Sequence, residues 1–224
     1  QLISYGMGLD WSFEVEYLKL NKKGRVDIYD HTINAITFLR PCLKYLKRFL
    51  TFRLNYNDLI ERFVQLKKYL DFVYNKNINF YKKKISTTKL SETIQVNQTF
   101  QKLEKNNKII MKIDIEGDEY EIIDEVINNN KNIEMLIIEF HNLDINELKF
   151  ISIIKKLNTY FYSIHIHGNN HCGFSESGLP VALEITFVNN KYKPTDIIFK
   201  KKFPNQELDF PNDPEKDDLF FSFK

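Results

Sequence analysis

Apolar positions along the chain follow two rhythms. Short runs rich in β-branched and aromatic residues read as strands, and stretches with apolar residues three and four apart read as helices. Leu2 to Tyr5 is the first strand and ends at GMGLD, Gly6 to Asp10. A helix from about Trp11 to Leu20 follows, then a second strand, RVDIYD, which ends on Asp30. From Thr32 to Val73 the pattern is helical, aromatic and basic, with an apolar stripe that includes Phe38, Leu39, Leu43, Leu46, Leu50, Leu54 and Phe63. INFYKKKI predicts a third strand, and Leu90 to Glu104 a helix. Ile109 to Ile115 reads as a buried strand broken by Gly117, with a helix over Asp118 to Val126. Asn132 to Asn142 repeats the strand pattern, Asp144 to Leu157 is an amphipathic helix, and YFYSIHIHG and PVALEITFV close the series as strands. About seven strands, with helices between the early ones, predict an α/β class with a mostly parallel sheet.

With 224 residues, 43% hydrophobic and 14% aromatic, the chain has enough apolar material for a full core, and one domain over 1–224 is the simplest expectation. That domain would carry a helical basic insertion at about 35–73 and an irregular acidic tail at about 203–224, because FPNQELDFPNDPEKDD is too rich in Pro, Asn and Asp for a regular element. The tail should wrap the surface or a site. A formal charge of +2 hides this asymmetry between a basic middle and an acidic end. The insertion reads either as a helical layer packed on the sheet, the favoured reading, or as a helix with peripheral membrane contact.

Cys42 and Cys172 are too few for a disulfide framework, so a reduced, cytoplasmic location is expected. No stretch approaches a transmembrane span. The chain starts on Gln1 and runs at once into apolar residues, which leads us to expect further native sequence before it.

Two places concentrate chemistry. The order strand, glycine turn, helix, strand, acid, from Gly6 and Gly8 to Asp30, is that of a nucleotide-binding βαβ unit, in which glycines admit a ligand to the backbone and the acid takes ribose hydroxyls. In MKIDIEGDEYEII the acids Asp118, Glu119 and Glu121 suit a helix N-terminus, but Asp114 and Glu116 remain at the strand's C-terminal end, where open α/β sheets bind ligands. The next strand ends in Glu139 and His141 on one face, and YFYSIHIHGNNHCG brings His167 to a polar turn with Asn169 and Asn170. If successive strands are neighbours, Asp114, Glu116, Glu139 and His141 meet. Asp114, Glu139 and His141 would then hold a hard divalent ion such as Mg or Mn that acidifies a substrate hydroxyl, or the carboxylates would hold an imidazole acting as general base.

SYGMGLDWSFE, IYDHT, MKIDIEGDEYEII, IIEFH and the PNDP of the tail, in this order across nearly the whole chain, resemble the motif string of FkbM-type methyltransferases, enzymes that use S-adenosylmethionine. The insertion is longer than that family leads us to expect. The resemblance implies a Rossmann-like class I methyltransferase sheet of seven strands, mostly parallel and flanked by helices, with the last strand antiparallel. It implies that Tyr5, Gly6 and Gly8 pass the amino-acid portion of the cofactor, with Asp10 or Glu14 near its ammonium and Asp30 on its ribose. Asp114 and Glu116 would lie by the methyl donor and the acceptor, with Glu139 and His141 completing the acceptor side. Position adds His167 as a further catalytic candidate, and with Asn169 and Asn170 as a substrate-binding group. The expected reaction is O-methylation of a sugar or nucleotide-linked sugar for a bacterial capsule or other surface glycan. Lipid-linked, polyketide or other small-molecule hydroxyls are the alternative acceptors. A dinucleotide-binding module is the rival class, though GxGxxG lacks its third glycine between Leu9 and Ser12. No nucleic-acid motif appears, and the oligomeric state stays open.

Overall fold

The computed structural model describes residues 1–51, 56–103, 108–196 and 200–223. Its elements, in chain order, are β1 (Leu2–Tyr5), α1 (Ser12–Leu20), β2 (Val26–Tyr29), α2 (Ala35–Leu50), α3 (Tyr56–Val73), β3 (Ile78–Tyr81), β4 (Lys84–Ile85), β5 (Thr93–Ile94), α4 (Val96–Phe100), β6 (Ile109–Ile113), α5 (Glu119–Asn128), β7 (Ile133–Phe140), α6 (Leu143–Leu157), β8 (Phe161–Gly168), β9 (Leu183–Asn189), β10 (Lys202–Phe203) and β11 (Phe221–Ser222). Seven of the strands form one mixed, mostly parallel sheet in the order β3-β2-β1-β6-β7-β9-β8, and β4-β5 and β10-β11 form two-stranded ribbons. β9 runs antiparallel to both of its neighbours, as expected for the last strand of the main sheet.

The chain divides into two compact units, one holding Leu2 and Ser4–Lys84, the other Gln1, Ile3 and Ile85–Lys224. In the first, β2 and β3 pair in parallel, and Trp11, Phe38, Tyr69 and Phe72 form an aromatic cluster that seats α2 and α3. α2 starts on an Asn34–Thr37 capping box, which satisfies two of the N–H groups a helix start leaves open. The expected packing of the whole apolar stripe does not hold. Phe38, Cys42, Leu59, Tyr69 and Phe72 are buried, while Leu39, Leu43, Leu46, Leu50 and Phe63 stay exposed. The spacing of a stripe tells which residues share a face, not that something covers it. Leu54 lies outside the described residues.

In the second unit β6 pairs in parallel with β7, Lys112 opposite Ile137 and Ile113 opposite Ile138. Ile109, Met111 and Ile113 of β6, Leu136, Ile138 and Phe140 of β7 and Leu183, Ile185 and Phe187 of β9 are all buried. Strict alternation puts this set on the core face, where each side chain contributes about 1.5–3 kcal/mol, and directs Glu139, Glu184 and His167 the other way. The registers set those three side by side across β7, β9 and β8.

The predicted helix over Leu90 to Glu104 is corrected to the strand β5 and the short α4. The Thr93 hydroxyl donates to the Thr88 carbonyl and accepts from Leu90 N–H, a local bonding pattern that competes with a helix start, and the helix begins instead at a Gln95–Gln98 capping box. Glu104 lies outside the described residues. INFYKKKI divides into β3 and β4. Among the described residues no helix is long and apolar enough to cross a membrane.

Candidate active site

In the first unit the glycine turn and Asp30 form one structure. Gly6 and Gly8 adopt φ of +76° and +61°, conformations that other residues reach only with strain, and a Cβ built on Gly8 would meet nothing within 4 Å. The turn is therefore open where a ligand would approach it. One oxygen of Asp30 accepts the N–H groups of Met7 and Gly8, each at 3.0 Å, and the other accepts Thr32 N–H and hydroxyl, both at 2.7 Å, and Ile33 N–H at 3.3 Å. Burial alone would raise its pKa, but the bonds from Thr32, Gly8 and Met7 outweigh burial and hold the carboxyl below its ordinary value. Five donors already fill the acceptor sites of this carboxylate, so ribose hydroxyls would have to compete with the turn's own backbone. Tyr5 is buried edge-on against Tyr29, Asp10 accepts Ser12 N–H at the start of α1, and Glu14 is buried and accepts the Ser4 hydroxyl at 2.6 Å.

In the second unit the expected meeting of acids and imidazole takes place. His141 Nε2 lies 3.8 Å from Asp114, 3.7 Å from Glu139 and 3.6 Å from Glu116. Its Nδ1 lies 2.9 Å from Glu119 Oε1, and its backbone carbonyl accepts the Tyr120 hydroxyl at 2.6 Å. Glu119 is fully buried, and its carboxylate also accepts Ile115 and Gly117 N–H. One side chain thus ties the turn after β6 to the end of β7.

The turns that shape the cluster use backbone that L residues avoid. Glu116 and Asn142 have φ of +57° and +54°, and Gly117 has +107°. Asn169 donates to Glu139 at 2.8 Å. Burial raises the Asp114 pKa, with Glu116 and Glu119 adding to it against the pull of Lys112 and His141. Burial and the Asp114 charge lift Glu139 to about 7. For His141 burial works downward, but the Glu119 hydrogen bond and the surrounding carboxylates lift it to about 9. Among the described residues, Asp114, Glu139 and His141 each offer one ligand atom within 4.8 Å of the others, a group able to hold a metal ion.

His167 and Asn170 have other partners. His167 Nδ1 lies 3.2 Å from Glu184 and its Nε2 3.2 Å from Asp218 of the tail. Asn170 donates to the Asp213 carbonyl and accepts Asp213 N–H, Asn212 donates to Glu184, and His165 pairs with Asp209 at 2.7 Å. These residues fasten the tail. Sequence reasoning explained Glu119 by the helix dipole and so missed its tie to His141. Glu184 was also missed, although a lone acid inside PVALEITFV was a visible signal.

A sheet of this order, with one antiparallel strand between two others, and a polar cluster at the carboxyl ends of β6 and β7, define an α/β protein with its candidate site where such open sheets bind ligands. The chain belongs to the FkbM methyltransferase family: the Methyltransferase FkbM domain matches residues 5–175. The family implies S-adenosylmethionine as methyl donor. No curated protein matches the chain. It is similar to a dimethyladenosine transferase from Plasmodium falciparum, with 10% identity and a TM-score of 0.45 over 85% of this chain and 56% of that one. It is also similar to precorrin-6y C5,15-methyltransferase from Geobacter metallireducens GS-15, with 10% identity and a TM-score of 0.41 over 83% of this chain and 76% of that one.

Proposed function

We propose that this methyltransferase transfers the methyl group to a hydroxyl of a sugar or nucleotide-linked sugar, in the making of a bacterial capsule or other surface glycan. The observation that carries the reading is the His141 cluster. A sugar hydroxyl is too weak an acid to lose its proton unaided near neutrality, and S-adenosylmethionine supplies a methyl already activated as a sulfonium. What the chain must add is alignment and a place for the proton. With His141 near 9, its imidazolium form prevails at neutral pH, so the carboxylate side of the cluster takes the proton. Glu139, near 7, is matched to that task, and His141 offsets the negative charge around it. Asn169 orients Glu139, and the oxygens of Asp114 and Glu139, within 4.8 Å of each other, suit an acceptor rich in hydroxyls. For the donor, the Gly6–Gly8 turn would pass the amino-acid portion, and Asp30 would hold the turn and exchange one of its present donors for a ribose hydroxyl.

A second reading is favoured by the spacing of the ligand atoms. The separations of 3.8 and 3.7 Å from His141 to Asp114 and Glu139 are too long for hydrogen bonds but suit ligands that each lie about 2.1–2.3 Å from one ion. A divalent ion there would acidify the hydroxyl, and the Glu119–His141 bond is the outer contact that metal-bound histidines use.

Transfer of labelled methyl from S-adenosylmethionine to a panel of nucleotide sugars, with the modified atom located by NMR, tests the proposal. A methyl ether on a sugar is expected. Methylation at nitrogen or carbon, or transfer only to acceptors without a sugar, would overturn it.

A further inference from the structure

The α2–α3 hairpin carries an apolar face that the fold leaves in water. On α2, Ile36, Leu39, Leu43, Leu46 and Leu50 lie three, four, three and four residues apart, which keeps them on one side of the helix. They are 53%, 41%, 56%, 36% and 67% exposed. A different flank of α2 supplies the core: Cys42 is fully buried, and Phe38 stacks on Tyr69. Continuous exposed apolar rows of this kind mark contact faces.

The charges decide what the contact is with. α2 carries Arg40, Lys44, Lys47 and Arg48 and no acidic residue. Helical spacing sets Arg40 and Lys47 directly beside the leucine row. A second copy of the chain would bring the same two flanking cations, Arg40 and Lys47, against this face, which opposes pairing. An anionic surface with an apolar interior satisfies both the row and its flank.

We infer that the α2–α3 hairpin docks the protein on an anionic phospholipid surface, with the leucine row entering the acyl boundary and the flanking Arg40 and Lys47 meeting headgroup phosphate. The inference rests on helix faces far in kind from the acid and imidazole cluster, and it holds whatever the methyl acceptor is.

Flotation of the full chain with vesicles of mixed phosphatidylglycerol and phosphatidylcholine, against phosphatidylcholine alone, is the test. Binding to the anionic vesicles should be at least about tenfold tighter and should weaken with salt. The double exchange Leu43→Glu, Leu46→Glu should remove it and leave the circular dichroism spectrum unchanged, since both residues are exposed. Arg40→Glu with Lys47→Glu should weaken it similarly. Leu148→Glu, on α6 and 85% exposed, should leave binding at the parent level. Equal affinity for both vesicle types, no binding to either, or binding that survives the double leucine exchange would overturn the inference. So would a concentration-dependent dimer that Leu43→Glu dissociates in a chain that ignores vesicles, since the face would then belong to a second copy.

Discussion

Glu119 Oε1 stands 2.9 Å from His141 Nδ1, and the same carboxylate accepts Gly117 N–H through both of its oxygens. The acid that starts α5 therefore fixes the imidazole at the end of β7 and the turn that precedes the helix. Glu119→Gln should lower kcat by about 10–100-fold, the range seen when the outer partner of a metal-ligating histidine is lost. Calorimetric affinity for S-adenosylmethionine should stay near the parent value. Equal losses in turnover and cofactor affinity would argue for a general collapse of the turn rather than positioning.

His141→Ala should abolish turnover while cofactor affinity holds. Dialysis against a chelator separates the two routes for the proton. If an ion is required, activity falls and returns with Mg²⁺ or Mn²⁺; full activity after exhaustive chelation leaves the proton to Glu139 and its neighbours.

Glu116 holds a φ of +57° with most of its side chain in solvent. An L residue there is strained by about 1–2 kcal/mol, part of which a glycine gives back through its freer unfolded chain. Glu116→Gly should raise unfolding free energy by roughly 0.5–1 kcal/mol and lower methyl transfer. Denaturant midpoints and initial rates, measured on the same samples, check both halves.

The tail clamp should depend on pH. His167 lies between Glu184 of β9 and Asp218 of the tail, and their bonds and charges, working against burial, lift its pKa to about 9. A raised imidazole pKa adds stability that is fully present below its unfolded value, about 6.5, and is lost as pH rises through about 9. Hydrogen exchange of residues 209–218, corrected for intrinsic rates, should show protection at pH 7 that fades between pH 8 and 10. His167→Gln should lack that fading.

Asp30→Ala would leave the Met7, Gly8 and Thr32 donors without their acceptor. A loss of about 2–4 kcal/mol of stability is expected, with at least tenfold weaker S-adenosylmethionine binding. Thermal unfolding and calorimetry read the two effects.

Much of this was legible in the linear chain. Short β-branched and aromatic runs marked β1, β2, β6, β7, β8 and β9, and period-two alternation put Glu139 and His141 on one face, because strand side chains alternate whatever surrounds them. The glycine turn and Asp30 could be read from spacing, since only certain residues tolerate positive φ. What spacing could not give was choice of partner. Glu119 suited a helix dipole as well as it suits His141, and nothing in the order of residues said that His167 would meet Asp218 of the tail. The leucine row of α2 was plain as a stripe, yet its exposure followed only from where the other elements packed. Local propensity and periodicity are properties of neighbours in sequence, so the sequence alone determined the strands of the main sheet, the longer helices and the faces their side chains take, but not the short β5–α4 and β10–β11 pieces. Which carboxylate meets which imidazole, and which apolar face meets water, depends on residues brought together from distant parts of the chain, and that only the tertiary structure decided.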